Sequence, residues 1–210
     1  MATIERLFVT KLYREELSGP GTRRLNEDLL QSCRFLAEED GAGRAWCEKN
    51  NYPGYTSYAS LTDIALRAPA FADLIGRLDG HVAEFAAALD LDIGRRRLAC
   101  DSIWVNVLEP GGFHASHIHP HSVVSGTYYV SVPKGASALK LEDPRLGFMM
   151  AAPPRRARAD LENRQFVYQE PKAGTLILWE SWLRHEVPMN MADRERISVS
   201  FNYGLERTED

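Results

Sequence analysis

Arg196-Ile197-Ser198-Val199-Ser200-Phe201-Asn202-Tyr203 alternates without a break. Ile197, Val199, Phe201 and Tyr203 make one face, and Arg196, Ser198, Ser200 and Asn202 make the other. Period two is the mark of a β-strand whose two sides meet different surroundings. The apolar side predicts a core. The polar side, led by a guanidinium, has two readings. As a solvent-facing edge it needs nothing more. Turned into a closed β-fold it needs an anionic partner, because a buried unpaired charge is costly. A carboxylate suits it, since arginine binds carboxylates through paired hydrogen bonds, and Ser198 adds a further donor.

The same period appears upstream. Ile103, Val105 and Val107 alternate with Trp104, Asn106 and Leu108. Residues 126–132 are rich in Thr, Tyr and Val, and residues 175–179 form a short apolar run after Ala173-Gly174. Short strands separated by Gly and Pro predict a sandwich or barrel from about Leu98 onward. Before that point the period is helical: Leu25, Leu29, Cys33 and Leu36, then Phe71, Leu74, Ile75, Leu78, Val82, Phe85 and Leu89. The second run begins after Pro69 and closes near Gly94, both ordinary helix boundaries. The expected organisation is one structural unit, with a helical region over 1–97 packed on a β core over 98–210. Two loops stand out. Residues 50–58 carry three tyrosines and read as a surface loop or a pocket wall. Residues 143–163, with Pro153-Pro154 and Arg155, Arg156 and Arg158, read as a solvated excursion or a lid.

Four of the six histidines fall in Phe113-His114-Ala-Ser-His117-Ile-His119-Pro-His121. On a strand, residues i and i+2 share a face, so His117 and His119 are placed to hold one ion together. Imidazole binds Fe, Zn, Cu and Ni. Two ligands do not close a site, and His185, beyond the run 175–179, is the best third. His81 reads as a satisfied polar residue on its helix. His114 and His121 read the same way, with His114 placed to support the ligands from behind and Pro120 ending the strand before His121.

Composition narrows the partners. The 210 residues are 44% apolar and 26% charged, within the globular range. A net charge of -4 goes against nucleic-acid binding, which needs a basic face. The three cysteines, Cys33, Cys47 and Cys100, form no C-x-x-C pair, so reduced thiols in a cytoplasmic protein are expected. The first residues carry no basic-then-apolar targeting pattern, and no run approaches a membrane span.

Taken in order, Trp104-Val-Asn106, His117-Ile-His119-Pro120, Ser125-Gly-Thr-Tyr128-Tyr129, His185 and Arg196-Ile-Ser198-Val-Ser200-Phe-Asn202 resemble a small bacterial family of the 2-oxoglutarate/Fe(II)-dependent oxygenase superfamily. The resemblance covers about half the chain. It implies a double-stranded β-helix, a cupin-like jelly roll, with Fe(II) at its mouth and 2-oxoglutarate as co-substrate. The superfamily's H-x-D…H triad falls on His117, His119 and His185, with His119 at the aspartate position. The element that binds the far carboxylate of 2-oxoglutarate falls on Arg196 and Ser198, with Arg194 the weaker alternative. Tyr129 falls where the superfamily often puts a co-substrate tyrosine. Trp104, Asn106 and Tyr128 are expected at the pocket rim, with Asn106 also toward the co-substrate.

A 2-His-1-carboxylate set marks such oxygenases. Three neutral imidazoles leave the ion its full +2 charge, and they also suit Zn(II). The expected activity is a dioxygenase acting on an unidentified small molecule or side chain, with a homodimer as a possible assembly. Two alternatives stand beside it: a cupin-like three-histidine metalloenzyme that does not use 2-oxoglutarate, and a non-catalytic metal-dependent binding protein.

Overall fold

The computed structural model describes residues 1–206. Two antiparallel sheets face each other as a jelly roll. The larger is built around β3 (Leu98–Leu108), β5 (Val124–Ser131), β8 (Thr175–Glu180) and β10 (Arg196–Leu205). Two N-terminal strands complete it. β1 (Tyr13–Glu16) pairs with β8, and β2 (Tyr55–Thr56) pairs with β3, giving the order β1-β8-β5-β10-β3-β2. The smaller sheet has the order β4-β9-β6-β7, from β4 (His114–His117), β9 (His185–Val187), β6 (Leu139–Glu142) and β7 (Phe166–Gln169).

The alternation of β10 decides where the layers go. Ile197, Val199, Phe201 and Tyr203 are fully buried on the outer side of the large sheet. There they join Leu25, Leu29 and Cys33 of α1 (Thr22–Glu39) and Phe71, Leu74, Leu78, Val82 and Phe85 of α4 (Pro69–Ala88) in one core. Pro69 starts α4 at the position where its missing N–H costs nothing. The polar face of β10 turns inward. Between the sheets lies a second, smaller core of Leu108, Tyr129, Leu139, Leu141, Ile177, Trp179, Leu183 and Val187.

Residues 1–97 are thus not helical throughout, because two short strands from this region extend the large sheet. Two further helices, α2 (Gly41–Lys49) and α3 (Ile64–Arg67), bracket β2. Residues 143–163 hold two single 3-10 turns and are largely exposed. They leave β6 one residue beyond Leu141, which pairs with His185, so the loop springs from the histidine end of the small sheet. Phe148 and Met150, 89% and 95% exposed, do not pack on the barrel. Among the described residues no helix is long and apolar enough to cross a membrane, and all three cysteines are free.

Candidate metal centre

His117 and His185 are register partners across β4 and β9. His119 is not on β4 at all. The strand ends at His117, and His119 reaches the site from the following turn, where its backbone N–H donates to Ser181 O at 3.0 Å. The i, i+2 strand argument names two rings that the fold does bring together, but a local turn, not one strand face, brings the second ring in. The potential ligand atoms of the three rings lie within 4.8 Å of one another, and among the described residues this is the one such group of His, Cys, Asp or Glu.

The outer nitrogens settle how the rings present themselves. Nδ1 of His117 lies 2.7 Å from Ala115 O, and Nδ1 of His185 lies 2.9 Å from Leu183 O. Nδ1 of His119 lies 2.5 Å from Asn202 Oδ1. Each acceptor is an oxygen without a proton, so each Nδ1–H donates and each Nε2 keeps a lone pair. Such outer partners fix tautomer and ring plane at metal sites. Nε2 of His117 then stands 3.1 Å from Nε2 of His119 with no proton between them. Two lone pairs at that distance repel unless a cation lies between them. Two nitrogens each about 2.1 Å from an ion fall about 3 Å apart at a right angle, so the residues fit a metal. Protons are poor substitutes. Burial pushes His117 and His119 below the ordinary imidazole value and His185 well below it.

Other residues hold this arrangement. Asn202 donates to Ser102 Oγ at 3.0 Å, and its Oδ1 also accepts from Ser125 at 2.8 Å. Ser125 touches Ser181 at 2.7 Å, which ties the His119 turn to β5 and β10. His114 is not a surface residue. It stacks on His117 at 4.4 Å and 19°, and Tyr52 OH is 3.3 Å from its Nδ1. Burial pushes His114 down to about 3. Tyr52 thus sets the 50–58 loop against the back of His114. Trp104 packs against His119 at 5.6 Å, and the exposed Tyr58 stands edge-on to Trp104 at 5.1 Å. His121 sits outside in a turn at φ 73°; the strand has already ended at His117, so Pro120 is not what stops it. His81 bonds Tyr13 OH at 2.8 Å on α4.

Behind the histidines, a chamber is lined by Asn106, Thr127, Trp179, Arg196, Ser198 and Ser200. Arg196 is 2% exposed, and among the described residues no carboxylate lies within ion-pair distance. Its guanidinium sits 4.9 Å from the centre of the Tyr129 ring. Arg196 Nε, Tyr129 OH and Asn106 Oδ1 are buried without a hydrogen-bond partner, each at a cost of about 1–3 kcal/mol. Burial raises the Tyr129 hydroxyl, with the Arg196 charge opposing it, so the phenol stays a donor. Asn106 is held by its donation to Ser200 Oγ at 3.0 Å.

Arg194 is exposed and faces Asp193, so it plays no part here. Tyr128, expected at the rim, points the other way: it lies in the helix-covered core and donates to Asn26 at 3.1 Å. Adjacent strand residues face opposite sides, so Tyr128 and Tyr129 could not both line the chamber. Sequence reading assigned no role to Ser125, Asn202 and Trp179. The first two lay inside the quoted motifs, and Trp179 was hidden in an apolar run.

Residues 102–202 match the family model described as "Putative 2OG-Fe(II) oxygenase". No curated protein matches the chain in sequence. Among solved structures, a Pseudomonas putida prolyl-4-hydroxylase is 16% identical, with 96% of both chains covered and a TM-score of 0.60. HygX from Streptomyces hygroscopicus, solved with nickel and 2-oxoglutarate bound, is 15% identical, covering 93% of this chain and 82% of its own, at a TM-score of 0.56. These two likenesses establish the jelly-roll fold. An oxidoreductase of the 2OG-Fe(II) oxygenase family from Burkholderia pseudomallei aligns over 53% of this chain at 17% identity and a TM-score of 0.41. The chain spans about half the length of that protein, 47%.

Proposed function

We propose, from the match of residues 102–202 to the family model described as "Putative 2OG-Fe(II) oxygenase", that this protein is a 2-oxoglutarate-dependent dioxygenase with Fe(II) held by His117, His119 and His185. The observation that carries the reading is Arg196. A guanidinium buried with no carboxylate paired to it among the described residues, in a chamber that opens on three imidazole nitrogens, calls for a ligand with a carboxylate at its far end and a metal-binding group at its near end. 2-Oxoglutarate has both.

Iron, when bound, supplies the redox chemistry that couples decarboxylation of 2-oxoglutarate to oxidation of a C–H bond. The chain supplies position and shielding. Arg196 takes the far carboxylate, with the Tyr129 hydroxyl and Ser198 as further donors, and Asn106 borders the co-substrate. The Nδ1 bonds to Ala115, Leu183 and Asn202 hold the ligand rings in place. Trp104 shields His119 from solvent on the side of Tyr58.

The substrate is a small molecule or an exposed side chain reaching the histidine end. The net charge of -4 goes against nucleic acid, and free cysteines go with a cytoplasmic location. A homodimer is one candidate assembly, with sedimentation as its measurement.

Anaerobic Fe(II) protein mixed with 2-oxoglutarate should develop a visible charge-transfer band, and admitting air should yield succinate. His185→Ala should lose bound metal, by elemental analysis, and the band with it, while His121→Ala keeps both. Wild-type protein with neither band nor succinate would sink the co-substrate assignment. One observation favours a second reading: three neutral imidazoles also suit Zn(II). Protein purified without added metal that carries zinc, and a metal-dependent activity that 2-oxoglutarate neither supports nor inhibits, would establish the cupin-like alternative.

A further inference from the structure

Trp179 is 2% exposed, and its indole nitrogen has no hydrogen-bond partner. Alternation along β8 sends Leu176 and Leu178 to the helix-covered core and Ile177 and Trp179 to the space between the sheets. There Trp179 lines the chamber with Arg196 and Asn106, and its ring stands edge-on to His185 at 4.7 Å and 62°. It borders the metal ligands on one side and the chamber on the other.

A buried indole N–H normally finds an acceptor. Phenylalanine would fill similar space without an orphaned donor. The orphan is also not isolated. Five buried side-chain polar atoms lack partners among the described residues: Ser137 Oγ, and Asn106 Oδ1, Tyr129 OH, Arg196 Nε and Trp179 Nε1. The last four all belong to strands that wall the inner space. Three of those four can donate, and an indole N–H can do nothing else. Donors gathered on the strands around the chamber are the complement of an anion's oxygens.

We propose that Trp179 Nε1–H donates a hydrogen bond to an oxygen of the acid bound in the chamber. This makes Trp179 a specificity-determining residue for the co-substrate in addition to Arg196. The proposal rests on the reading of the chamber as the 2-oxoglutarate site.

Zinc-loaded protein, which does not turn over, tests it. In titration calorimetry Trp179→Phe should weaken 2-oxoglutarate binding about tenfold, or about 1.4 kcal/mol, while zinc affinity and the unfolding midpoint stay at or above wild type. In 15N-labelled wild-type protein the Trp179 indole resonance, assigned through its contact with the His185 ring, should move downfield when 2-oxoglutarate is added. That signal decides the matter even if the variant fails to fold. Unchanged affinity in a folded, metal-loaded variant, or an indole resonance that does not move on saturation, overturns the role of Trp179 and leaves the chamber's assignment standing. Wild-type zinc protein that takes up no 2-oxoglutarate overturns both.

Discussion

Arg196 and Asp40 are both charged and nearly buried, at 2% and 9% exposure, yet they stand in opposite positions. Asp40 is fully served. It caps α2 by accepting from Gly43 N–H at 2.9 Å, and it accepts from Tyr55 OH at 2.9 Å and Ser60 Oγ at 2.5 Å. Burial alone would raise its carboxyl, but these donors together hold it below the ordinary value of 3.8. A folded pKa below the unfolded one means that the charge stabilises the fold above pH 3.8, and that the contribution is lost as pH falls through the folded value. Asp40→Asn should therefore cost about 1–2 kcal/mol at neutral pH. The gap between its unfolding midpoint and that of wild type should close below pH 3.8. A gap that persists there would mean packing, not charge, is what the substitution removes. Arg196 is the reverse case. Replacing a buried charge that has no carboxylate partner among the described residues with an apolar chain of similar volume is neutral or stabilising. Arg196→Met should leave unfolding free energy unchanged or raise it by about 1–4 kcal/mol. It should also weaken 2-oxoglutarate binding by roughly 2–5 kcal/mol. Chemical denaturation and calorimetry on the same samples check both halves. A strongly destabilised variant would mean the guanidinium serves the fold.

Among the elements, β10 and α4 were the most legible, because each carries an unbroken period over many residues. The alternation of β10 separated its two faces correctly, but whether the polar face met water or a chamber depended on the facing sheet. β1 and β2 were not legible. Tyr13-Arg-Glu-Glu and Tyr55-Thr are too short to show a period, and they are strands because the edges at β8 and β3 offer them unpaired backbone groups. His119 shows the same limit: its place depends on the Ser181 carbonyl and on Asn202, both distant in sequence. Gly126 offers a test of how tightly the central strands pack. A Cβ there would meet the Phe201 ring at 2.5 Å and Leu178 at 2.7 Å. Both neighbours are fully buried and have little room to give. Gly126→Ala should destabilise by about 1–3 kcal/mol, read as a lower denaturation midpoint at unchanged slope. A neutral effect would mean that β10 shifts more easily than its burial implies.

At the scale of the molecule, the helices and the barrel depend on each other. The outer face of β10 is covered by α1 and α4, and their buried leucines have no other core to join. The site depends on the same cover, since Tyr52 from the N-terminal half backs His114, which in turn stacks on His117. A fragment of residues 98–210 should therefore lack a cooperative unfolding transition and bind ANS, even though it contains the whole family match. A sharp transition in that fragment would show the barrel to be independent.

Strand and helix periods, the cluster of histidines and the arginine-led polar face are local patterns. They were enough to predict a sandwich or barrel, which the family resemblance narrowed to a jelly roll, together with three candidate ligands and a candidate anion-binding arginine, because side-chain direction follows backbone period directly. Three results required the folded chain: that His119 arrives from a turn, that His114 stacks half-buried against His117 with Tyr52 at its back, and that Tyr129 rather than Tyr128 lies between the sheets alongside Trp179. Each of these depends on which distant strand supplies the neighbouring hydrogen-bond partner or wall, and no single segment of sequence carries that information.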